Sequence, residues 1–454
     1  MTADRLSPCD RNALTIGMGL LLFWLLAAAT PKAQAAPWLF VSDIHFDPTN
    51  HRRLPVGYGR DTNLALLDSA LLEMKRVDPD PPVVMITGDF LAHGFDYAGA
   101  EATMAEIARK FDRTFPHAQF VIALGNEDSG CADYGLALDA PFLRATARAW
   151  APLVDRNGAA PSFTATFPRD GFYIARLPLR RTIAVVVDDV FWSPRSFPGC
   201  GGKPGGDAQT AIDLTRALHR TPNDRHWIVG HIPPGIDAYS TAHLARRLLV
   251  VSFFDPRWRD RLLSLIADPQ TRVSLVIMAH THKFAYRIVG RPEDPIPLLT
   301  IPSISPIFGN APSFLTVDVD ASGTIRSAEN RAYLDGRWTD VGGTRSLGLS
   351  AFTGPELVRL HRRLANDAEL RKTFARLYES GAPPEIDDAN WPTYWCAAST
   401  FGSTAFRRCA ALGGFSVFTR RAIILAVTTA VVLPTAAGLV GWFVLRRRRR
   451  LRTP

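Results

Sequence analysis

Val83-Val84-Met85-Ile86-Thr87-Gly88-Asp89 is the stretch that decides the fold of this chain. A short run of apolar and β-branched residues has the composition of a buried strand. It ends on a glycine, whose backbone allows close approach, and on a carboxylate, so an oxygen ligand is delivered where the sheet stops. The layout recurs. Trp38 to Val41 precedes Asp43-Ile44-His45, Phe120 to Leu124 precedes Gly125-Asn126, Trp227 to Val229 precedes Gly230-His231, and Val273 to Met278 precedes His280-Thr281-His282. Oxygen and imidazole donors at successive strand ends are what a rigid sheet needs to hold two cations close enough to clamp one phosphate.

At 454 residues and 47% apolar content the chain is long enough for one large α/β domain with a smaller appendage. The formal charge of +9 is concentrated at the ends. Arg420, Arg421, Arg446 to Arg450 and Arg452 carry most of it, and the leader adds a little more, which leaves the middle near neutrality and gives no reason to expect specific nucleic-acid binding. Arg11, the leucine-rich run Ile16 to Ala29 and Ala33-Gln34-Ala35 have the three parts of a secretory signal, expected to span residues 1–35, with a retained anchor helix as the alternative. Ala422 to Leu445 is uncharged and long enough to span a bilayer. A buried core helix is the competing reading, disfavoured because such helices rarely lack a polar face. The basic tail over 446–454 should stay on the cytoplasmic side, placing the domain between on the extracytoplasmic side, periplasmic or extracellular.

That placement is oxidising, and four cysteines remain once Cys9 leaves with the leader. Of the three possible connectivities, Cys131 with Cys200 and Cys396 with Cys409 is favoured, because the first two sit in loops beside ligand clusters and the second two share one segment. Free buried thiols are the alternative, and no Cys-x-x-Cys spacing suggests zinc.

Strand-like runs alternate with helical patterns from Trp38 to about Val319, the signature of layered α/β architecture. Helices are expected over Thr62 to Val77, Tyr97 to Phe115, Pro141 to Ala151, Asp207 to His219 and Pro256 to Ala267, the last capped by Asp255. Ile183 to Val187, Leu298 to Ile301 and Phe314 to Val319 complete the strands. The Gly- and Pro-rich Phe191 to Asp207 should be a long loop on the active face. Helical spacing returns over Glu356 to Leu364 and Asp367 to Tyr378, followed by an aromatic knot at Trp391, Tyr394 and Trp395. The expected division is a main domain over 36–335, a helical disulfide-bearing module over 345–415 and a transmembrane helix over 422–445.

Within the clusters, Asp43 and His45 can converge on one ion only if the chain turns between them, and Phe46-Asp47-Pro48 makes a turn plausible. Asp89, with two carboxylate oxygens, is the candidate bridge between two cations. Asn126 adds a neutral carbonyl oxygen; His231, His280 and His282 complete the shell with imidazole, which suits zinc and its first-row neighbours. A lone histidine is more often structural, but five ordered clusters reverse that expectation.

The order Asp-x-His, Gly-Asp, Gly-Asn, Gly-His, His-x-His resembles the calcineurin-like metallophosphoesterase superfamily. Gly230-His231-Ile232-Pro233-Pro234-Gly235, His93 four residues after Asp89, and Phe308-Gly309-Asn310 leading to Pro312-Ser313-Phe314 look like its acid sphingomyelinase-like phosphodiesterase branch. The resemblance implies an α/β four-layer β-sandwich flanked by helices, with ligands on loops at one edge. It implies one metal held by Asp43, His45, Asp89 and His282 and a second by Asp89, Asn126, His231 and His280. Two divalent ions, zinc with manganese or iron as alternatives, would bind the phosphate and acidify a water for in-line attack. His93 matches a proton donor of the branch.

Two departures stand out. Ala279 replaces a glycine, a small change. Glu127 occupies the place of a histidine that contacts phosphate in much of the superfamily; it could act as an acid only with a raised pKa, and would otherwise repel phosphate. The expectation is a membrane-anchored, outward-facing phosphodiesterase or phosphatase acting on small phosphate esters, nucleotides or phospholipid headgroups. A hydrolase resembling endopolyphosphatases, or a catalytically silent receptor for phosphorylated ligands, is the rival that Glu127 favours.

Overall fold

The computed structural model describes residues 36–54, 57–243 and 249–412. The expected leader, the apolar segment 422–445 and the basic tail lie outside the described residues. Among the described residues no helix is long and apolar enough to cross a membrane.

Two six-stranded mixed sheets form the body. The first runs in the order β12-β11-β10-β1-β2-β3, with β1 at Trp38–Val41, β2 at Val83–Thr87, β3 at Gln119–Ala123, β10 at Ser313–Val319, β11 at Ile325–Leu334 and β12 at Arg337–Gly343. β1, β2 and β3 are mutually parallel, while β10 joins β1 antiparallel. The second sheet runs β4-β5-β6-β7-β9-β8, with β4 at Phe172–Arg176, β5 at Thr182–Val187, β6 at Arg225–Val229, β7 at Val273–Met278, β8 at Ala285–Arg291 and β9 at Asp294–Thr300. Here β5, β6, β7 and β9 are parallel, and β4 and β8 are antiparallel edges.

The parallel strands are buried along almost their whole length, which is why they read as continuous apolar runs. The sheets face each other: Trp38 of β1 meets Trp227 of β6 at 5.4 Å between rings, and Tyr173 of β4 donates its hydroxyl to the Ile122 carbonyl of β3 at 2.7 Å.

The expected helices appear at Leu64–Val77, Ala100–Thr114, Pro141–Val154, Gly206–Arg220 and Pro256–Ala267. The first begins two residues later than its pattern because Asn63 caps it, accepting from the Leu66 N–H. Asp255 caps the last, as its sequence indicated. Helix Phe163–Asp170 and strands β4, β8, β11 and β12 went unread. β8 and β12 mix exposed and buried positions at sheet edges, so neither gives a clean period.

After β12 the chain forms helices Gly354–Leu364, Ala368–Tyr378, Trp391–Ala397 and Ser403–Leu412. The first packs on β8 and β9, burying Leu357, Leu360 and Leu364. His361 stacks on Trp395 at 4.3 Å, tying the first of these helices to the third. Both favoured disulfides are formed, Cys131–Cys200 and Cys396–Cys409.

Candidate metal centre

Five parallel strands, β1, β2, β3, β6 and β7, end at one edge of the sandwich, and the loops leaving them carry all seven sequence-selected ligands. The loops are laced to one another. Asp43 donates its N–H to the Gly88 carbonyl at 3.0 Å, His45 to the Asp89 carbonyl at 2.9 Å, and Ala279 to the His231 carbonyl at 2.7 Å. The turn that Asp43 and His45 required is made by the backbone: Asp43, His45, Asp89, His280 and His282 all have positive φ, between 44° and 65°. Such angles cost non-glycine residues on the order of 1–3 kcal/mol each and cluster where side-chain aim matters more than backbone ease.

Two glycines are obligatory. A Cβ on Gly125 would stand 2.1 Å from Asp89 Oδ1, and one on Gly230 would stand 2.3 Å from Asp189 Oδ2. Asp189 is buried and accepts the N–H groups of His231 and Ile232, both at 3.0 Å, fixing that loop. Asp128 does the same for the neighbouring loops, accepting from Phe90 and Gly125 at 2.8 Å each. Neither acid was assigned a role from sequence.

Around Asp89 the donors fall into two groups. Asp43, His45 and His282 form one, Asp89, His231 and His280 the other; within each, one ligand atom per residue lies within 4.8 Å of the others. Asp89 Oδ2 stands 3.1 Å from His231 Nε2 and 3.5 Å from His45 Nε2, so one carboxylate oxygen faces both groups. His45 and His282 turn Nε2 atoms toward each other at 3.1 Å, and His280 Nδ1 faces His231 Nε2 at 3.3 Å. Both Asp43 oxygens and Asn126 Oδ1 are buried without a hydrogen-bond partner. Orphaned acceptors beside converging imidazole nitrogens are costly unless a cation lies between them, so the donor set fits two metal ions. The outer nitrogens are anchored: His45 Nδ1 on the Leu91 carbonyl at 3.0 Å, His231 Nδ1 on the Thr87 carbonyl at 2.7 Å.

Electrostatics agree for three of the four imidazoles; the fourth, His231, is pushed down by burial but raised to about 10 by the charge and hydrogen bond of Asp89, so a cation bound there has to displace its proton. Burial pushes His45 down to about 4 and His280 to about 3, and holds His282 well below the usual histidine range, so these rings are neutral and able to ligate. Burial would raise Asp89, but His231 and His45 outweigh it and keep the carboxylate ionised. Burial raises Asp43 to about 7 in the absence of a cation.

His93 lies at the rim, stacked on His45 at 4.1 Å between rings. Asp61, which the sequence gave no reason to single out, accepts from the His93 backbone N–H at 2.8 Å and faces its Nδ1 at 3.1 Å; Ser305 donates to the same carboxylate at 3.1 Å. Burial lowers His93, but the hydrogen bond and charge of Asp61, helped by Asp89 and Glu127, raise it to about 9. Glu127 is buried opposite, raised to about 8 first by burial and then by Asp89 and Asp133.

The centre opens into a cavity of about 640 Å³, walled by Phe253 and Phe308 near the histidines and by Tyr378 and Tyr394 of the C-terminal helices. The expected long loop contributes Arg195, which pairs with Asp133 at 3.0 Å, and Asp133 accepts from Asn126 Nδ2 at 2.8 Å. Lys283, beside His282, bridges buried Glu379 at 2.5 Å and the Phe308 carbonyl at 3.0 Å, so the C-terminal helices hold the cavity loops.

The model of calcineurin-like phosphoesterases matches residues 36–284. The chain belongs to the calcineurin-like phosphoesterase family. Among curated relatives of this calcineurin-like phosphoesterase, the human acid sphingomyelinase-like phosphodiesterase 3b is 25% identical over 298 residues, covering 59% of this chain and 62% of that protein. Sphingomyelinase phosphodiesterase D of Dictyostelium discoideum is 21% identical over 271 residues, covering 58% of each. The chain thus aligns with about three fifths of the length of these relatives. A dimetal phosphatase from Danio rerio is similar in structure at 12% identity, covering 68% of this chain and 99% of that one, with a TM-score of 0.41.

Proposed function

We propose that this chain is a dinuclear metal-dependent phosphoric ester hydrolase of the acid sphingomyelinase-like phosphodiesterase type, acting on phosphodiesters, nucleotides or lipid headgroups. The observation that carries the proposal is the cluster of partnerless Asp43 and Asn126 oxygens beside paired imidazoles, gathered around Asp89. Asp43, His45, Asp89 and His282 would hold one cation, and Asp89, Asn126, His231 and His280 the other. Zinc suits this mixed nitrogen and oxygen set, with manganese or iron as alternatives. Bound there, the metals would supply Lewis acidity to the phosphate oxygens and to the attacking water.

The chain's own groups do the rest. His93 faces the cavity with Asp61 behind it, placing a loaded acid where a leaving oxygen needs a proton. Phe253 packs edge-on to His280 at 5.3 Å and Phe308 edge-on to His282 at 4.6 Å, giving apolar walls to either side of the phosphate position. The proposal includes a leader over 1–35, a catalytic unit over 36–335, a module over 345–415 and an anchor over 422–445 that leaves the domain extracytoplasmic.

The test uses full-length protein in detergent with a chromogenic phosphodiester. Turnover should disappear with chelator and in His231→Ala. Turnover indifferent to both would refute the proposal. The carboxyl group of Glu127 favours one second reading, a metal-bound receptor for phosphorylated ligands, which full metal occupancy without turnover of esters or polyphosphate would support.

A further inference from the structure

We infer that the far end of the cavity takes a compact headgroup bearing both a carboxylate and an ammonium, so that the substrate is a phosphodiester of a hydroxy amino acid such as serine. The inference rests on the hydrolase proposal and names the substrate class of the same site. Phe253 separates the two ends of the cavity: its ring lies 5.3 Å from that of His280 and 5.8 Å from the guanidinium carbon of Arg287. The far end therefore begins one aromatic ring from the metal ligands, within reach of a small headgroup on a phosphate held there.

Arg287 is 7% exposed and lines the cavity. Its Nη1 donates to the Ala397 carbonyl and its Nη2 to the Ile236 carbonyl, both at 2.9 Å, which fixes the guanidinium without neutralising it. Burial lowers the group only to about 10, so it remains a cation. The other two basic side chains of the cavity wall are ion-paired, Lys283 with Glu379 and Arg195 with Asp133. Among the described residues no carboxylate pairs with Arg287. A buried cation without a counter-charge is costly, and a ligand carboxylate supplies one in a geometry that a guanidinium fork matches. The same end also carries acids. Asp237 and Glu385 line it, and neither is ion-paired among the described residues. Asp237 accepts the Ser240 N–H at 2.9 Å and Glu385 accepts from the Tyr394 hydroxyl, so both are held in place. The Tyr394 ring meets that of Tyr378 at 5.5 Å, which gives the acids aromatic neighbours suited to an ammonium. A headgroup with an amine alone would leave Arg287 without a counter-charge, and one with a carboxylate alone would meet Asp237 and Glu385. An amino acid answers both signs.

The test uses metal-replete full-length protein in detergent. Wild type, Arg287→Gln and the double variant Asp237→Asn with Glu385→Gln are compared on three glycerophosphodiesters: that of L-serine, that of ethanolamine, which lacks the carboxylate, and that of 3-hydroxypropionate, which lacks the ammonium. Wild-type kcat/KM should favour serine by about tenfold or more over each analogue. Arg287→Gln should erase the advantage over ethanolamine, and the double variant the advantage over hydroxypropionate. The amides keep acceptors for Ser240 and Tyr394. Phosphatidyl-L-serine and phosphatidylethanolamine in mixed micelles form a parallel arm; a serine preference in either arm upholds the inference, and the faster serine substrate identifies its source. Wild-type values equal within about twofold across headgroups in both arms would overturn it, as would preferences that survive in both variants. If Arg287→Gln fails to fold, the wild-type ratios and the double variant decide. If wild type holds its metals yet turns over no diester, bis(4-nitrophenyl) phosphate included, the hydrolase proposal falls. Calorimetric Kd values then decide, with O-phospho-L-serine about tenfold or more tighter than O-phosphoethanolamine upholding the headgroup site and equal values ending it.

Discussion

Exchanging Asp61 for asparagine removes a charge from behind His93 and changes little else in shape. The carboxylate faces His93 Nδ1 at 3.1 Å and accepts the residue's own N–H at 2.8 Å. Unit charges about 4 Å apart interact by about 4 kcal/mol at an effective dielectric constant of ~20. The His93 ring is 30% exposed, so screening reduces that to about 2 kcal/mol, or about 1.5 pKa units. Burial, which opposes Asp61, then pulls the ring below its present value of about 9 toward about 7. A raised histidine is protonated below its pKa and loses its proton as pH rises through it. In the variant the alkaline loss of kcat should therefore begin one to two units lower. At pH 8 a diester with an alkyl leaving group, which must be protonated, should lose about tenfold, and at pH 6 much less. A nitrophenyl diester, whose leaving group departs without a proton, should lose less than about threefold. The assay is the pH profile of kcat for the two substrates in wild type and Asp61→Asn. Equal losses for both leaving groups with an unmoved alkaline limb would refute the role given to His93 and Asp61.

Three further outcomes follow from geometry. Gly125→Ala places a methyl group 2.1 Å from Asp89 Oδ1; bound metal should fall below about one equivalent by elemental analysis while circular dichroism shows the fold retained. The Cys131–Cys200 bridge closes a span of 69 residues and Cys396–Cys409 one of 13. By loop entropy these are worth about 4 and about 3 kcal/mol, so paired serine substitution of the first should lower the melting temperature more than that of the second. Glu379→Gln leaves Lys283 buried without its counter-charge, at a cost of about 3 kcal/mol in chemical denaturation; joint replacement by Lys283→Met and Glu379→Leu should cost less, because no charge is then stranded.

Much of the fold and the ligand set was legible because the parallel strands are buried on both faces. A run such as Val83 to Thr87 then has one physical meaning, and the polar residue that ends it must be there for a reason. Edge strands β8 and β12 were not legible, since exposed and buried positions alternate irregularly in them. The convergence of Asp43 with His45 could be stated only as a condition on a turn; the positive φ values that satisfy it depend on hydrogen bonds to the loop after β2, which lies some forty residues downstream. Asp61 was invisible because it is one acid in a polar loop, and only the folded chain brings it to His93, 32 residues away. Asp128 directly follows Glu127 in the chain, but its task of binding backbone N–H groups leaves no sequence pattern.

Metal content of the purified full-length protein tests the central claim most directly, with Asp89→Ala beside wild type. If one carboxylate serves both cations, wild type should carry two divalent ions per chain and Asp89→Ala should lose both together. Wild type binding one ion or none under metal-replete conditions, or a variant that keeps two, would contradict a dinuclear centre built on Asp89.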